Sequence, residues 1–203
     1  MIIKRLFFGM LLACSVFFAK GQFSNEVFHD GFLVSTEGDT ISGLIKYDLE
    51  ANIVQLVKNN VVKTYSSQKV FYFEIYDKIV DNYRQFYSIL YNVNFNYEIP
   101  IIFEVLYEGR ISLLAREVIV QESVNNSSAY WGGNFMQNKV AYSFYFLNKE
   151  GKIDFYTGKK NDLFRLLSRH SSELKSFIKK NRLEHGEIRD LIRIIAFYNT
   201  LES

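Results

Sequence analysis

Gly31-Phe-Leu-Val-Ser-Thr-Glu-Gly-Asp-Thr-Ile-Ser-Gly-Leu-Ile-Lys-Tyr47 reads as a β-hairpin. Residues 32–36 are strand formers. Glu37-Gly38-Asp39 supplies the turn, because Gly reaches positive φ freely and Asp can bond its own backbone. Thr40, Ile41, Leu44, Ile45 and Tyr47 carry the return strand. Gly43, inside that strand, signals a bulge or a close backbone approach. A hairpin placed first sets the register of the strands after it.

Working outward toward the start of the chain, residues 1–21 have the layout of a secretory signal peptide. Lys4 and Arg5 give a positive start, residues 6–18 are an apolar run, and Ala19-Lys20-Gly21 ends in small residues ahead of Gln22. The run is too short to span a bilayer. Leu11-Leu12-Ala13-Cys14 offers a competing reading as a lipoprotein signal with a lipid anchor on Cys14. Loss of residues 1–21 removes three cations and no acid. That leaves 21 basic against 22 acidic side chains, a net charge of −1 in place of +2. No basic stripe remains to suggest a nucleic-acid partner. Cys14 is the only cysteine, so the mature chain has no disulfide, thiol nucleophile or thiolate metal site.

Beyond the hairpin, strand patterns recur at short intervals. Residues 53–58 and 61–66 flank a two-residue turn, Asn59-Asn60. Residues 70–76 alternate, with Phe71, Phe73 and Ile75 on one face and Tyr72, Glu74 and Tyr76 on the other. Residues 79–98 carry both signals. Tyr83, Phe86, Tyr87, Leu90 and Tyr91 fit helical spacing, while Tyr91, Val93, Phe95 and Tyr97 alternate with polar residues; strand is the reading adopted for both halves. Residues 101–107, with Ile101, Phe103, Val105 and Tyr107 on one face, and 110–120 flank Glu108-Gly109. Residues 124–138, rich in Asn, Ser and Gly, read as a loop. Residues 140–148 place Tyr142, Phe144 and Phe146 together, and Glu150-Gly151 turns them into 152–157.

The period then changes from two to 3.6. Asn161 and Ser171 are candidate N-caps. The stripes Leu163–Leu166–Leu167, Leu174–Phe177–Ile178 and Ile188–Leu191–Ile192–Ile195 mark three short helices. The fold class expected is α+β. A single domain over 22–203 has an antiparallel curved sheet or partly open β-barrel (22–158), then a helical region (159–203) packed on it.

Chemistry-bearing residues are sparse. None of the three histidines, His29, His170 and His185, has a second ligand at metal spacing. Gly158-Lys159-Lys160 lacks the rest of a P-loop, and no Gly-x-Ser-x-Gly elbow exists, so no cofactor and no catalytic residue is assigned. Glu104, Glu108 and Glu117 could pair as carboxylates, but spaced along hairpin strands they read as a wet face. Tyr72, Tyr76, Tyr87 and Tyr91 form a candidate binding surface, since Tyr gives amphipathic area at low entropy cost. Lys175, Lys179, Lys180 and Arg182 read as a solvated helix face. Asn126-Ser127-Ser128 matches the N-glycan acceptor pattern.

Three stretches carry a family resemblance: Gly31-Phe-Leu-Val with Glu37-Gly-Asp-Thr-Ile-Ser-Gly43, Phe103-Glu-Val-Leu-Tyr-Glu-Gly-Arg-Ile-Ser-Leu113, and Lys159-Lys-Asn-Asp-Leu163 on through Phe177-Ile-Lys-Lys180 to Phe197-Tyr-Asn199. On these the chain resembles a group of uncharacterised exported proteins of Bacteroidota-type bacteria. The resemblance implies export and a shared fold, and it brings no activity. Asp39-Thr40-Ile41 also resembles the Asp-Thr/Ser-aliphatic sequence at which such bacteria attach O-glycans, which makes Thr40 a candidate acceptor.

The function expected is a non-catalytic envelope or secreted module that binds a protein partner or a surface polymer, with no integral membrane helix after signal cleavage. The alternatives are a small outer-membrane β-barrel, allowed by the alternating strands, and a carboxylate-dependent hydrolase. Processing is directly testable: intact-mass measurement should find a chain that starts at Gln22. Retention of residues 1–21 would refute the export signal, and acylation at Cys14 would select the lipoprotein reading.

Overall fold

Period-two alternation and a shortage of helix formers make most of this chain a meander of strands. The structure, a computed structural model, describes residues 23–94, 97–125 and 134–201. The leader with Cys14 and the Asn126 acceptor lie outside the described residues. The strands are β1 (His29–Ser35), β2 (Thr40–Asp48), β3 (Ile53–Lys58), β4 (Val61–Ser66), β5 (Val70–Asp77), β6 (Asn82–Asn94), β7 (Tyr97–Tyr107), β8 (Ser112–Asn125), β9 (Asn134–Leu147) and β10 (Ile153–Tyr156). Helices α1 (Lys160–Leu166), α2 (Ser171–Asn181) and α3 (Ile188–Leu201) follow. The strands form one antiparallel sheet in the order β10-β9-β8-β7-β6-β5-β1-β2-β3-β4.

One link forces this sheet to curl. β4 lies four strand steps from β5, about 19 Å in a flat sheet at ~4.8 Å per step. Only Ser67–Lys69, a 3-10 turn, joins them, and four residue steps reach ~14 Å at most. β1 to β4 must therefore bend over the inner face of the neighbouring strands. Gly31 and Gly43 stand opposite each other in the β1–β2 pair at this bend. A Cβ on Gly31 would collide with the Glu74 carbonyl oxygen, and one on Gly43 with that of Val57. Gly43 thus serves close approach, with the β1–β2 register unbroken.

The opening hairpin forms as read. Gly38 has φ +92°, and Ser35 Oγ accepts from the backbone of Glu37 and Asp39, 3.2 Å each. The curl also docks the turn after β2 against β7. β7 pairs with β8 only over residues 104–107, and below that the strands part. Asn52 enters the gap and supplies the missing ladder. Its Oδ1 accepts from Ile102 N–H at 2.9 Å, and its Nδ2 donates to the Pro100 carbonyl at 2.8 Å. Arg116 on β8 donates to the carbonyls of Ile102 (2.8 Å) and Leu49 across the same opening. The edge strands β4 and β10 do not meet, so the described strands form an open sheet and not a closed barrel.

The inner face holds two apolar cores. Leu33, Ile45, Val54, Leu56, Phe73, Ile75, Phe86 and Ile102 fill the curl. Leu113, Ala115, Phe144, Phe146 and Tyr156 meet the helical side chains Leu163, Leu167, Leu174, Leu191, Ile194, Ile195 and Tyr198. Phe177 stacks on Phe197 at 4.0 Å. Asn199 pins α3 to the sheet: its amide accepts from Ile111 N–H and donates to the Ile111 carbonyl, 2.9 Å each.

Local readings are corrected in four places. Residues 124–125 and 134–138, read as loop, belong to strands, since β8 runs to Asn125 and β9 starts at Asn134; the rest of that loop reading lies outside the described residues. Phe71 leaves the face of Phe73 and Ile75, because the β1–β5 register slips between Val34 and Ser35 and leaves Phe71 outside, 54% exposed. A second slip between Val105 and Tyr107 turns Tyr107 away from the face of Phe103 and toward the helices. Neither Asn161 nor Ser171 caps a helix. Lys159 and His170 stand at those positions, and Asp162 instead accepts from Thr157 N–H at 2.9 Å.

Because α3 fills the second core, Leu191→Ala should cost roughly 2–5 kcal/mol. Chemical denaturation of the full chain measures it. An unchanged unfolding midpoint would mean that α3 is not part of the cooperative unit.

Candidate functional site

Two clusters stand out, one inside the curl and one on the outer face. The inner one is built by alternation. Asp77, Arg84, Glu104 and Glu117 occupy inward positions on β5, β6, β7 and β8, and the curl lays Tyr47 of β2 over them. All are buried. Arg84 grips Glu104 through two parallel bonds, Nε to Oε1 and Nη2 to Oε2, 2.7 Å each. Its Nη1 donates to Asp77 Oδ2 at 2.9 Å and to the Tyr47 hydroxyl at 2.7 Å. Tyr47 in turn donates to Glu117 Oε1, which lies 3.5 Å from Arg84 Nη2. His29 adjoins the cluster, with Nδ1 3.8 Å from Asp77 and Nε2 2.7 Å from the Ser24 carbonyl oxygen.

One guanidinium thus faces three carboxyls, and the surroundings separate them. Burial pushes the Glu117 carboxyl up, against Arg84 and the Tyr47 hydrogen bond, and the neighbouring Glu104 and Asp77 charges add to the rise. Burial also works on Asp77. There the hydrogen bonds from Ser24, Arg84 and Ile79 N–H win and hold it below the usual carboxylate range. Arg84 stays charged, since its bonds and charge pairing with Glu104 outweigh desolvation. Glu104 and Glu117 are therefore a buried ionic tie and not the wet face read from the sequence; Glu108 alone is exposed. Both oxygens of Glu104 are held by Arg84, and Oε1 of Glu117 is held by Tyr47. Among the described residues no group of three or more His, Cys, Asp or Glu is placed to hold a metal ion.

The outer face carries aromatics. Tyr72 and Tyr87 are cross-strand partners and stack at 5.1 Å. Phe32 packs edge-on to Tyr72 at 5.7 Å, and Phe71 packs edge-on to Tyr72 at 5.8 Å and to Tyr87 at 6.3 Å. Tyr87 lies opposite Phe103 on β7. A second group follows, with Phe103–Tyr145 at 5.0 Å, Tyr145–Phe155 at 5.3 Å and Tyr91 against both Phe103 and Tyr145. Between the groups lies a dimple of about 170 Å³ lined by Tyr87, Ile89, Val105, Glu108, Ser112, Leu114 and Leu147. The aromatic track crosses β1, β5, β6, β7, β8, β9 and β10, six strand steps or ~29 Å.

Of the tyrosines singled out from sequence, Tyr72, Tyr87 and Tyr91 lie on this track. Tyr76 belongs elsewhere: it pairs with Tyr83 at 5.1 Å, and its hydroxyl donates to Asp81. Sequence reading missed Phe32, Phe71, Phe103, Tyr145 and Phe155. Alternation places four of them, while Phe71 depends on the bulge. Thr40 is exposed at the first residue of β2. Lys175, Lys179, Lys180 and Arg182 are exposed on and just beyond α2. No family model, no curated protein and no solved structure matches the chain.

The ionic tie predicts a pH signature. The folded Glu117 titrates above its ordinary value of 4.5. Across that window the folded state keeps a proton that the unfolded chain has lost, so stability falls as pH rises. Glu117→Gln cannot titrate. Its melting temperature relative to wild type should therefore climb as pH rises above the ordinary value of 4.5; a flat difference would place Glu117 in an ordinary environment. Arg84→Met leaves buried carboxylates unpaired and should cost about 3–5 kcal/mol, while Lys69→Met, from an exposed bridge to Glu37, should barely move the melting curve.

Proposed function

We propose that this protein is a non-catalytic exported module that binds a linear surface polysaccharide along its outer aromatic track. The single observation that carries this reading is the stacked Tyr72–Tyr87 pair beside the bulged-out Phe71. Phe71 and Phe155 are exposed, 54% and 47%, Phe32, Tyr72, Tyr87, Tyr91 and Tyr145 are half-buried, and Phe103 is buried among them; apolar ring surface left in water on a folded chain marks a binding surface. Stacked rings are rigid, so little side-chain entropy is lost on contact. Polar groups, Glu74 and Gln85 at 2.8 Å from each other and Glu108 and Ser112 by the dimple, are interleaved with the rings. Sugar rings match that pattern, with C–H faces to stack and hydroxyls to bond. The length of the track suits an extended polymer better than a compact ligand.

Export rests on the signal-peptide layout of residues 1–21 and on the resemblance to exported Bacteroidota-type proteins. No helix among the described residues is long and apolar enough to cross a membrane. The open sheet weighs against an outer-membrane barrel, and the engaged state of Glu104 and Glu117 weighs against a carboxylate hydrolase. Thr40 remains the proposed O-glycan acceptor.

Native affinity electrophoresis in gels cast with soluble β-glucan, xylan or mannan tests the proposal. At least one polymer should retard the full chain, and Tyr72→Ala with Tyr87→Ala should restore free mobility while the variant still melts cooperatively at a somewhat lower temperature. Absence of retardation in every gel, or equal retardation of the variant, overturns it.

A further inference from the structure

The β3–β4 hairpin leaves one edge of the sheet open in a defined way. Asn59 and Asn60 both have positive φ, 51° and 61°, which is a type I′ turn. In such a turn the flanking pair, Lys58 and Val61, exchanges both backbone bonds. Bonded and non-bonded pairs then alternate along an antiparallel ladder. Val57–Val62 and Gln55–Thr64 are therefore non-bonded pairs. The N–H and C=O groups of Val62 and Thr64 point away from β3, and β4 has no further neighbour among the described residues.

This edge lacks most of the usual protection. Val61 and Val62, on opposite faces, are 56% and 57% exposed. There is no proline or bulge in β4, and Lys63 is its one charge. The opposite edge, β10, is four residues long and runs at once into α1. Beside β4 the inner face opens into a groove of about 260 Å³, lined by Ile41, Leu56, Val61 and Tyr65 with Lys58 and Lys63 at its rim. No acidic residue occurs between Ala51 and Phe73. Lys69, the third lysine of that stretch, is bridged to Glu37 at 3.1 Å, but Lys58 and Lys63 have no acidic partner among the described residues.

We infer that β4 is a docking edge for an extended segment of a partner protein whose inward-facing residues, every second one along the chain, are apolar and acidic by turns. Such a segment adds an eleventh strand through the free groups of Val62 and Thr64. Lys58 and Lys63 share the inner face with Leu56, Val61 and Tyr65, so one face of the segment supplies both contacts: its inward apolar residues fill the groove over Leu56 and Tyr65, and its inward carboxylates reach Lys58 and Lys63. Charge selects this occupant. A second copy laid along β4 would bring two more lysines to the same two, and the basic leader of this chain carries no acid at all. The edge is distinct from the aromatic track, so the two surfaces can be tested apart.

The probe is a capped, fluorescein-labelled seven-residue peptide, Val-Thr-Glu-Thr-Val-Thr-Glu, whose valines and glutamates share one face, titrated into the full chain by fluorescence anisotropy. Its lysine counterpart, and a version N-methylated along one backbone edge, serve as comparisons. Saturable binding is expected for the glutamate peptide only. Val62→Pro and Thr64→Pro remove free donors without breaking the β3 ladder and should each weaken binding at least about tenfold, with melting curves preserved. Lys58→Glu with Lys63→Glu should reverse the preference toward the lysine peptide, while Tyr72→Ala with Tyr87→Ala should change nothing. Equal binding of the N-methylated or lysine peptide overturns strand addition or charge selection respectively, as does absence of binding by the folded wild type. A concentration-dependent dimer lost in Val62→Pro would assign the edge to a second copy instead.

Discussion

Arg84 is the point at which the two halves of this sheet are tied. Its guanidinium reaches Glu104 on β7, Asp77 on β5 and Tyr47 on β2, and Tyr47 passes the contact on to Glu117 on β8. Tyr47 is the key member, because it comes from the strands that curl over the others. A buried ionic cluster is a weak source of net stability, since desolvation offsets most of the attraction. Its value here is specificity. Any other register of β2 over β5–β8 would take the Tyr47 hydroxyl from Arg84 and Glu117 and leave those buried groups a hydrogen bond short, at about 1–3 kcal/mol each. The apolar residues around the cluster, such as Phe86 and Ile102, could pack acceptably in more than one arrangement.

The curl has two further supports, one covalent and one steric. The three-residue link Ser67–Lys69 is too short for a flat sheet, so connectivity itself excludes that geometry. The facing glycines Gly31 and Gly43 let carbonyl oxygens of neighbouring strands approach to where side chains would stand. Asn52 then finishes the closure with an amide that imitates a strand, bonding β7 where β8 has turned away. Asn199 repeats the device for the helices at Ile111. In both cases one side-chain amide replaces a pair of ladder bonds, so backbone groups at the sheet's irregular places stay satisfied.

This architecture separates chemistry from recognition. Most of the inner face is occupied, by an apolar core and ionic tie at one end and by helices at the other, and what stays open lies beside β4. What the molecule offers to a partner is therefore the outer face and the free edge. The outer face is rigid because its strands are clamped from within, and its rings are held by one another. A surface of that kind favours stacking on a ligand without prior rearrangement.

The sequence by itself determined the elements. Alternation marked the strands, Asn59-Asn60 and Glu37-Gly38-Asp39 marked turns, and the change of period at the end marked the helices, because each of these is a local property of the chain. It also singled out Tyr72 and Tyr87 as candidates for a binding surface. It did not reveal that they would be neighbours, since that depends on the β5–β6 register. Glu104 and Glu117 looked like solvated carboxylates, because nothing near them in sequence announces Arg84, 20 residues from Glu104, or Tyr47, 70 residues from Glu117. Phe71 and Tyr107 were misplaced for a related reason. A bulge adds one residue to one strand of a pair, and only the partner strand shows that it is there. Burial, register and the pairing of charges are properties of strands brought together from a distance, and only the tertiary structure decided them.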